Sequence, residues 1–212
     1  RAAVTYDASL KFFGGKGFIS GNPVRQEFLE IDDAAINAHK VRVLVFGGSQ
    51  GAHAINVAMV EAAPRLAAAA APLDLVCQTG AQDFDMVREA LERFIDAMDR
   101  EMNAAGLVVS RAGATTIAEL TAAGRPAILV PLPTATDDHQ RHNALVLQQA
   151  GAAEVISQHE LTGERLAERI VVLAGDRDTR RRMSAAARRL ARPRAAEEIV
   201  DAVLTLTERR GS

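Results

Sequence analysis

Serine, threonine and glutamate sit beside glycine turns at two places in this sequence, a combination that suits a phosphorylated ligand carrying hydroxyls. At 107–126 the chain reads LVVSRAGATTIAELTAAGRP. Leu107, Val108 and Val109 make a short apolar run that suits a buried strand, and Ser110, Arg111, Ala112 and Gly113 supply a turn. From Ala114 the period changes: Ile117, Leu120 and Ala123 recur at helical spacing, while Thr115, Thr116 and Glu119 look elsewhere. A strand that ends in a glycine turn and opens a helix aims unpaired N–H groups and the positive end of a dipole at one spot, which favours a bound phosphate. Glu119, a turn further in, is a natural acceptor for a pair of sugar hydroxyls. A helix with an N-terminal Thr cap and an exposed Glu accounts for the same residues, so this segment alone leaves both readings open.

The other place is VRVLVF at 41–46, the strongest strand pattern in the chain, which runs straight into GGSQG at 47–51. Ala52, Ile55, Val57, Ala58, Met59 and Ala62 then continue as a helix. Glycines here allow positive φ and let a ligand approach the main chain, and Ser49 could donate to a phosphate oxygen. The spacing is GGxxG rather than GxGxxG, which argues against a nicotinamide or flavin cofactor. Close packing of helix on sheet is the competing account of the same glycines.

Other reactive residue types have plainer readings. His139 and His142 share a helix face beside Asp137 and Asp138, but no third ligand at suitable range suggests itself, so a helix cap with exposed imidazoles is expected rather than a metal. Ser49 lacks the spacing of a nucleophile elbow. Asp83 is placed to cap a helix through Met86, Val87, Ala90, Leu91 and Phe94. The arginines from Arg177 to Arg194 read as the wet face of a terminal helix, with an anionic lipid surface as the alternative. GNPVR at 21–25 cannot sit in a helix and reads as a hinge that presents Arg25, or as a plain surface turn.

These residues are strung along a regular alternation. Strand patterns at 2–6, 18–20, 41–46, 73–78, 107–109, 127–131 and 153–156 are separated, from 41 onward, by helical ones, and three helical stretches close the chain. That order predicts an α/β fold with a parallel sheet covered on both faces. Ligands of such sheets sit beyond the carboxyl ends of the strands, where the strand order reverses. Both glycine turns, the proline-bounded loop at 132–138 and the segment at 94–98 are therefore expected near one end of the sheet. A chain of 212 residues with a formal charge of −2 gives no electrostatic case for nucleic acid. No apolar run approaches the roughly 20 residues that cross a bilayer. Peripheral membrane contact stays open, and the single Cys77, inside an apolar run, fits a reducing cytoplasm. The chain begins with Arg and opens as if mid-protein, so a fragment is expected.

Taken together, GNPVR at 21–25, VLVFGGSQGA at 43–52, QTG at 78–80, FIDAM at 94–98, VVSRAGATTIAEL at 108–120, GRPAILVPLP at 124–133 and DHQRHNA at 138–144 closely resemble the bacterial MurG family. These are the undecaprenyldiphospho-muramoylpentapeptide β-N-acetylglucosaminyltransferases of peptidoglycan synthesis, in glycosyltransferase family 28. The resemblance runs from about residue 2 to 206. It implies a Rossmann-like sheet forming the C-terminal, donor-binding half of a GT-B enzyme at 23–212, with the end of the acceptor-side domain and a linker at 1–22. It further implies UDP-N-acetylglucosamine as donor, a lipid-linked muramoyl-pentapeptide as acceptor, peripheral contact with the cytoplasmic face of the bacterial plasma membrane, and no metal or cofactor.

By the same resemblance the substrate-binding positions are Arg25, Gly48, Ser49, Gln50, Gly51, Ile95, Ala114, Thr115, Thr116, Glu119 and Gln140. Ser49 and the turn at 47–51, with Thr116 and the start of its helix, would hold the diphosphate, and Thr115 adds a hydroxyl nearby. Main-chain groups of Ile95 would read the uracil, Glu119 the ribose and Gln140 the sugar, with Arg25 at the hinge. Acceptor loops and the candidate base belong to the family's other half, so this chain alone is expected to bind donor and turn over weakly or not at all. One departure concerns the uracil: the family places a further short strand before FIDAM, whereas here Arg93 abuts Phe94. Rival readings are a non-catalytic nucleotide-sugar-binding module and a related lipid glycosyltransferase with another donor.

Overall fold

The computed structural model describes residues 1–29, 33–48, 51–90, 98–135 and 138–208. The chain opens with β1 (Ala2–Val4), α1 (Asp7–Leu10), β2 (Gly17–Ile19) and α2 (Ala34–Asn37). β3 (Val41–Phe46), α3 (His53–Ala67), β4 (Leu73–Gln78), α4 (Phe84–Ala90), α5 (Met98–Ala104) and β5 (Leu107–Ser110) follow. Next come α6 (Ala114–Ala123), β6 (Ala127–Leu129), α7 (His139–Gln149) and β7 (Ala153–Val155), then α8 (Gly163–Gly175), α9 (Arg177–Leu190) and α10 (Ala195–Glu208).

β1 and β2 pair with each other in a small parallel sheet of their own. The remaining strands form one five-stranded parallel sheet in the order β4-β3-β5-β6-β7. Side chains alternate across a strand, and here both faces are apolar. Val41, Val43, Val45, Leu107, Val109 and Ile128 pack to one side, while Leu44, Phe46, Val76, Val108, Ala127 and Leu129 pack to the other. This is why the strands read as continuous hydrophobic runs.

Helices close both faces. α3 and α8 cover the first through Ile55, Met59, Leu66, Leu166, Ile170 and Leu173. α5, α6, α7 and α9 cover the second through Met102, Ile117, Leu120, Leu147 and Ala187. Each large apolar side chain sealed this way contributes on the order of 1.5–3 kcal/mol relative to exposure. Cys77 lies within the first layer, where burial pushes its thiol up to about 12.

β3 has β4 on one side and β5 on the other, so the chain steps one way across the sheet and then returns. Right-handed crossovers then put α3 and α6 on opposite faces, yet both helices start at the carboxyl edge beside the reversal.

The basic run of α9 is not wet throughout. Arg181, Arg182 and Arg189 are exposed, whereas Arg180 is 1% exposed. Its guanidinium donates to the carbonyl of Leu173 at 2.8 Å, to that of Ala174, and to that of Ile36 at 3.3 Å. It thereby satisfies the last turn of α8 and ties it to α2.

Candidate functional site

Phe46 of β3 lies in register with Ser110 of β5, so the turns that follow them leave the sheet side by side. In the first turn the Gly51 amide donates to the Gly48 carbonyl at 3.0 Å. Gly51 has φ +78, and a Cβ there would collide with the carbonyl of Thr79, so only glycine lets this turn close against the end of β4. Gly48 has φ +87 for the opposite purpose: a Cβ would meet nothing within 4 Å. Bare backbone at residue 48 therefore borders open space.

Neither helix that starts beside this space is capped by a side chain. α3 has Ala52 at its N-cap and α6 has Gly113, with no side-chain hydrogen bond at either. The Thr cap weighed for α6 is thus not used. α8 and α9, elsewhere, do carry caps, from Thr162 to the Arg165 amide and from Asp176 to the Thr179 amide. Leaving first-turn N–H groups without a side-chain acceptor costs stability unless water or a ligand meets them. The two starts share a cleft of about 520 Å³ walled by Gly48, Gly51, His53, Arg111, Thr116 and Gln140.

Gln140 is locked by its acceptor end. Its Oε1 accepts from the Ala112 amide at 3.3 Å and the Leu132 amide at 3.1 Å, so the NH2 is the end suited to a ligand oxygen. Arg111, which the sequence reading treated only as part of a turn, is a wall of the cleft. It donates to the carbonyls of Val130 at 3.1 Å and Pro131 at 3.3 Å and to Gln158 Oε1 at 2.8 Å, and burial pushes its pKa down. His53 was missed as well. Its place two residues past the glycine turn was legible, but its partner Asp83 comes from the turn before α4.

Asp83 was expected to cap α4. Its carbonyl does accept from the Val87 amide at 3.0 Å, but its carboxylate turns to α3, accepting from His53 Nδ1 at 2.9 Å and Asn56 Nδ2 at 2.7 Å. Burial raises that carboxyl, the hydrogen bonds from Asn56 and His53 lower it, and the lowering wins. Asp138 occupies the N-cap of α7 but makes no side-chain cap either. Its φ of 54 turns the carboxylate outward, to Arg141 at 3.2 Å. Among the described residues no three His, Cys, Asp or Glu side chains come together as a metal site.

The remaining expected residues divide. Ala114 is the first residue of α6, and Thr115 is exposed and outside the cleft walls. Glu119 lies further along α6, where burial pushes its carboxyl up and the charge of Arg25 offsets part of that rise. Arg25 itself is exposed and stands over the Phe28 ring at 5.0 Å. The Arg25–Glu119 pair thus forms a second polar point beyond the glycine cleft. Ser49, Gln50 and Ile95, with residues 94–97 of the segment 94–98, lie outside the described residues.

The sequence profile of the glycosyltransferase family 28 C-terminal domain matches residues 42–199, from β3 into α10. The chain belongs to that family. This family 28 domain is 43% identical over 214 residues to a UDP-N-acetylglucosamine–N-acetylmuramyl-(pentapeptide) pyrophosphoryl-undecaprenol N-acetylglucosamine transferase of Anaeromyxobacter sp. (strain K), covering 96% of this chain and 56% of the relative. It is 42% identical over 219 residues to the transferase of the same description from Geobacter metallireducens, covering 97% of this chain and 60% of that one. The crystal structure of Acinetobacter baumannii MurG superposes with a TM-score of 0.75 at 30% identity, covering 84% of this chain and 55% of that chain. The family 28 domain therefore spans a little over half the length of the curated relatives it matches, and its fold is that of one half of a GT-B glycosyltransferase.

Proposed function

We propose that this chain is the donor-binding part of an inverting hexosyltransferase that moves N-acetylglucosamine from UDP-N-acetylglucosamine to a lipid-linked muramoyl-pentapeptide in peptidoglycan synthesis. The observation that carries this is the convergence of the starts of α3 and α6, neither capped by a side chain, on one open cleft at the strand-order reversal. Family membership and the activity for which the relatives are named support the choice of ligand.

In this reading the diphosphate lies against Gly48, Gly51, Ala114 and Thr116, completed by Ser49, Gln50 and the exposed hydroxyl of Thr115. The donor NH2 of Gln140 meets a hydroxyl of the sugar, Glu119 accepts from the ribose hydroxyls, Arg25 sits over the nucleotide, and Ile95 meets the uracil. The acceptor hydroxyl forms the new bond at the anomeric carbon from the side opposite the diphosphate, the bond to the phosphate oxygen breaks, and UDP departs. Negative charge grows on that departing oxygen, so fixed donors at two helix starts are worth more in the transition state than in the ground state.

We place the acceptor contacts and the base in the part of the relatives that this chain does not match, and take residues 1–22 as the end of the acceptor-side domain with residues 23–212 as the donor domain. The acceptor's lipid brings the whole protein to the cytoplasmic face of the membrane; none of the described helices is long and apolar enough to cross it. Titration calorimetry with UDP, UDP-N-acetylglucosamine and UDP-glucose tests the core of this. Binding of UDP, with the N-acetylated sugar preferred over glucose, is expected. Equal silence from all of these ligands would defeat the proposal.

A further inference from the structure

The geometry points to His53 as a pH-dependent cationic contact for the donor diphosphate, oriented by Asp83 and Asn56; this rests on the donor-binding reading above. His53 is the first residue of α3 and borders the cleft beside Gly48 and Gly51, with its side chain 74% exposed. Among the described residues only one of its ring nitrogens has a partner: Nδ1 donates to Asp83 Oδ1 at 2.9 Å. Asp83 is held in turn, its Oδ2 accepting from Asn56 Nδ2 at 2.7 Å while the same amide donates to the Thr79 carbonyl at 2.9 Å. Asn56 on α3 and the turn at 79–83 thus together aim one imidazole, and the nitrogen left over among the described residues, Nε2, is the one a ligand can meet.

The placement is unfavourable for structure alone. A cation at the positive end of a helix opposes the dipole, and an ion pair that served α3 would carry the acid on the helix and the base elsewhere. Here the base is on α3 and the acid on its neighbour. The arrangement becomes favourable once an anion lies in the cleft, because a protonated imidazole then sits between Asp83 and a phosphate oxygen and makes a charge-assisted hydrogen bond to each. As UDP leaves, the same proton meets the charge that grows on the diphosphate.

The charged groups around this imidazole are accounted for among the described residues. On α3, Glu61 accepts from the Gly163 amide and Arg65 pairs with Glu164. On α4, Asp85 pairs with Arg88, and Glu89 is exposed. On α8, Arg165 pairs with Glu160, Arg169 with Glu154, and Glu168 is exposed. Arg111 faces the cleft from the opposite wall. Asp83 is the carboxylate in contact with His53; histidine as a residue type changes charge between about pH 5 and pH 8, and that is the range to test.

Calorimetric titration of the 212-residue chain with UDP-N-acetylglucosamine across that range tests the inference. A diphosphate esterified at both ends keeps its charge there, so any titration belongs to the protein. The parent should bind about fivefold or more tightly at the acid end than at the basic end. His53→Gln should lose the gain at the acid end and keep only what Glu119 contributes, and His53→Lys should bind at the stronger level with the same residual dependence. Asp83→Asn should keep the dependence but move it to lower pH. Binding of uridine, which carries no phosphate, should be the same in the parent and His53→Gln, a result that a folding defect would not leave intact. If His53→Gln follows the parent's curve, the inference is wrong while the donor reading stands. If the parent binds uridine but gains nothing from the diphosphate, the donor reading falls and this inference with it.

Discussion

Glu119 carries a conflict between stability and binding that a single substitution can expose. Burial raises its carboxyl and the charge of Arg25 only partly offsets this, so the folded chain holds that proton more tightly than the unfolded chain does. Stability from this group is therefore greatest at low pH and declines as pH rises from the unfolded carboxylate value, about 4.3, through the raised folded one. Glu119→Gln should remove the decline. Thermal melts of parent and variant should nearly coincide at about pH 4 and separate toward about pH 6 and above, with the variant the more stable. The same carboxylate is the proposed partner of the ribose, so Glu119→Ala should weaken UDP by roughly 1–3 kcal/mol, the cost of unpairing polar groups on binding. A variant that is more stable and binds worse is the signature of a residue kept for its ligand. Undiminished UDP affinity in Glu119→Ala would remove the ribose assignment.

At the scale of elements, the helices divide by how their ends are finished. α8 and α9 have side-chain caps at their starts, and the end of α8 is finished by the guanidinium of Arg180. α3 and α6, which begin at the cleft, lack side-chain caps. The contrast makes Arg180 a structural residue despite its place in a basic run. Arg180→Met keeps the stem's packing but strands the carbonyls of Leu173, Ala174 and Ile36, and a loss of about 3 kcal/mol is expected in denaturant unfolding. Arg181→Met, on the exposed face, should change stability by no more than about 0.5 kcal/mol. Equal effects at the two positions would show that the buried guanidinium does not finish the helix.

For the whole molecule, the cleft lies where several elements meet, so filling it should couple to global stability. It is walled by residues from the starts of α3, α6 and α7 and from the turn after β5, and all of these pack onto one sheet. A ligand that binds only this folded arrangement at roughly 100 times its Kd adds about 2.7 kcal/mol, which for a chain of this size raises Tm by roughly 5–10 °C. UDP-N-acetylglucosamine should produce such a shift and uridine at the same concentration a much smaller one, because the diphosphate is what we propose the helix starts meet. A shift that is the same for both would mean that the phosphates are bound elsewhere or not at all.

Much of this was legible in the amino-acid order because it is local. The period of 41–46 and 107–109 shows strands, that of 52–62 and 114–123 shows helices, and the glycines between them mark turns, with positive φ at Gly48 and Gly51, since these depend on neighbours a few residues apart. The fold class and family followed from that alternation and from the ordered motifs. What local pattern does not carry is the side of a strand on which the next one adds. The return of the chain to the far side of β3 is settled by packing of both sheet faces at once, and it brings Gly47, Gly48 and Gly51 to the same cleft as Arg111, Gly113 and Thr116. The same holds for pairs distant in the chain: Asp83 looked like a helix cap because nothing near it in sequence competes for its carboxylate, yet in the folded chain His53 and Asn56 do. Arg180 looked like one more exposed arginine until α8 and α2 closed over it and offered carbonyls in place of water.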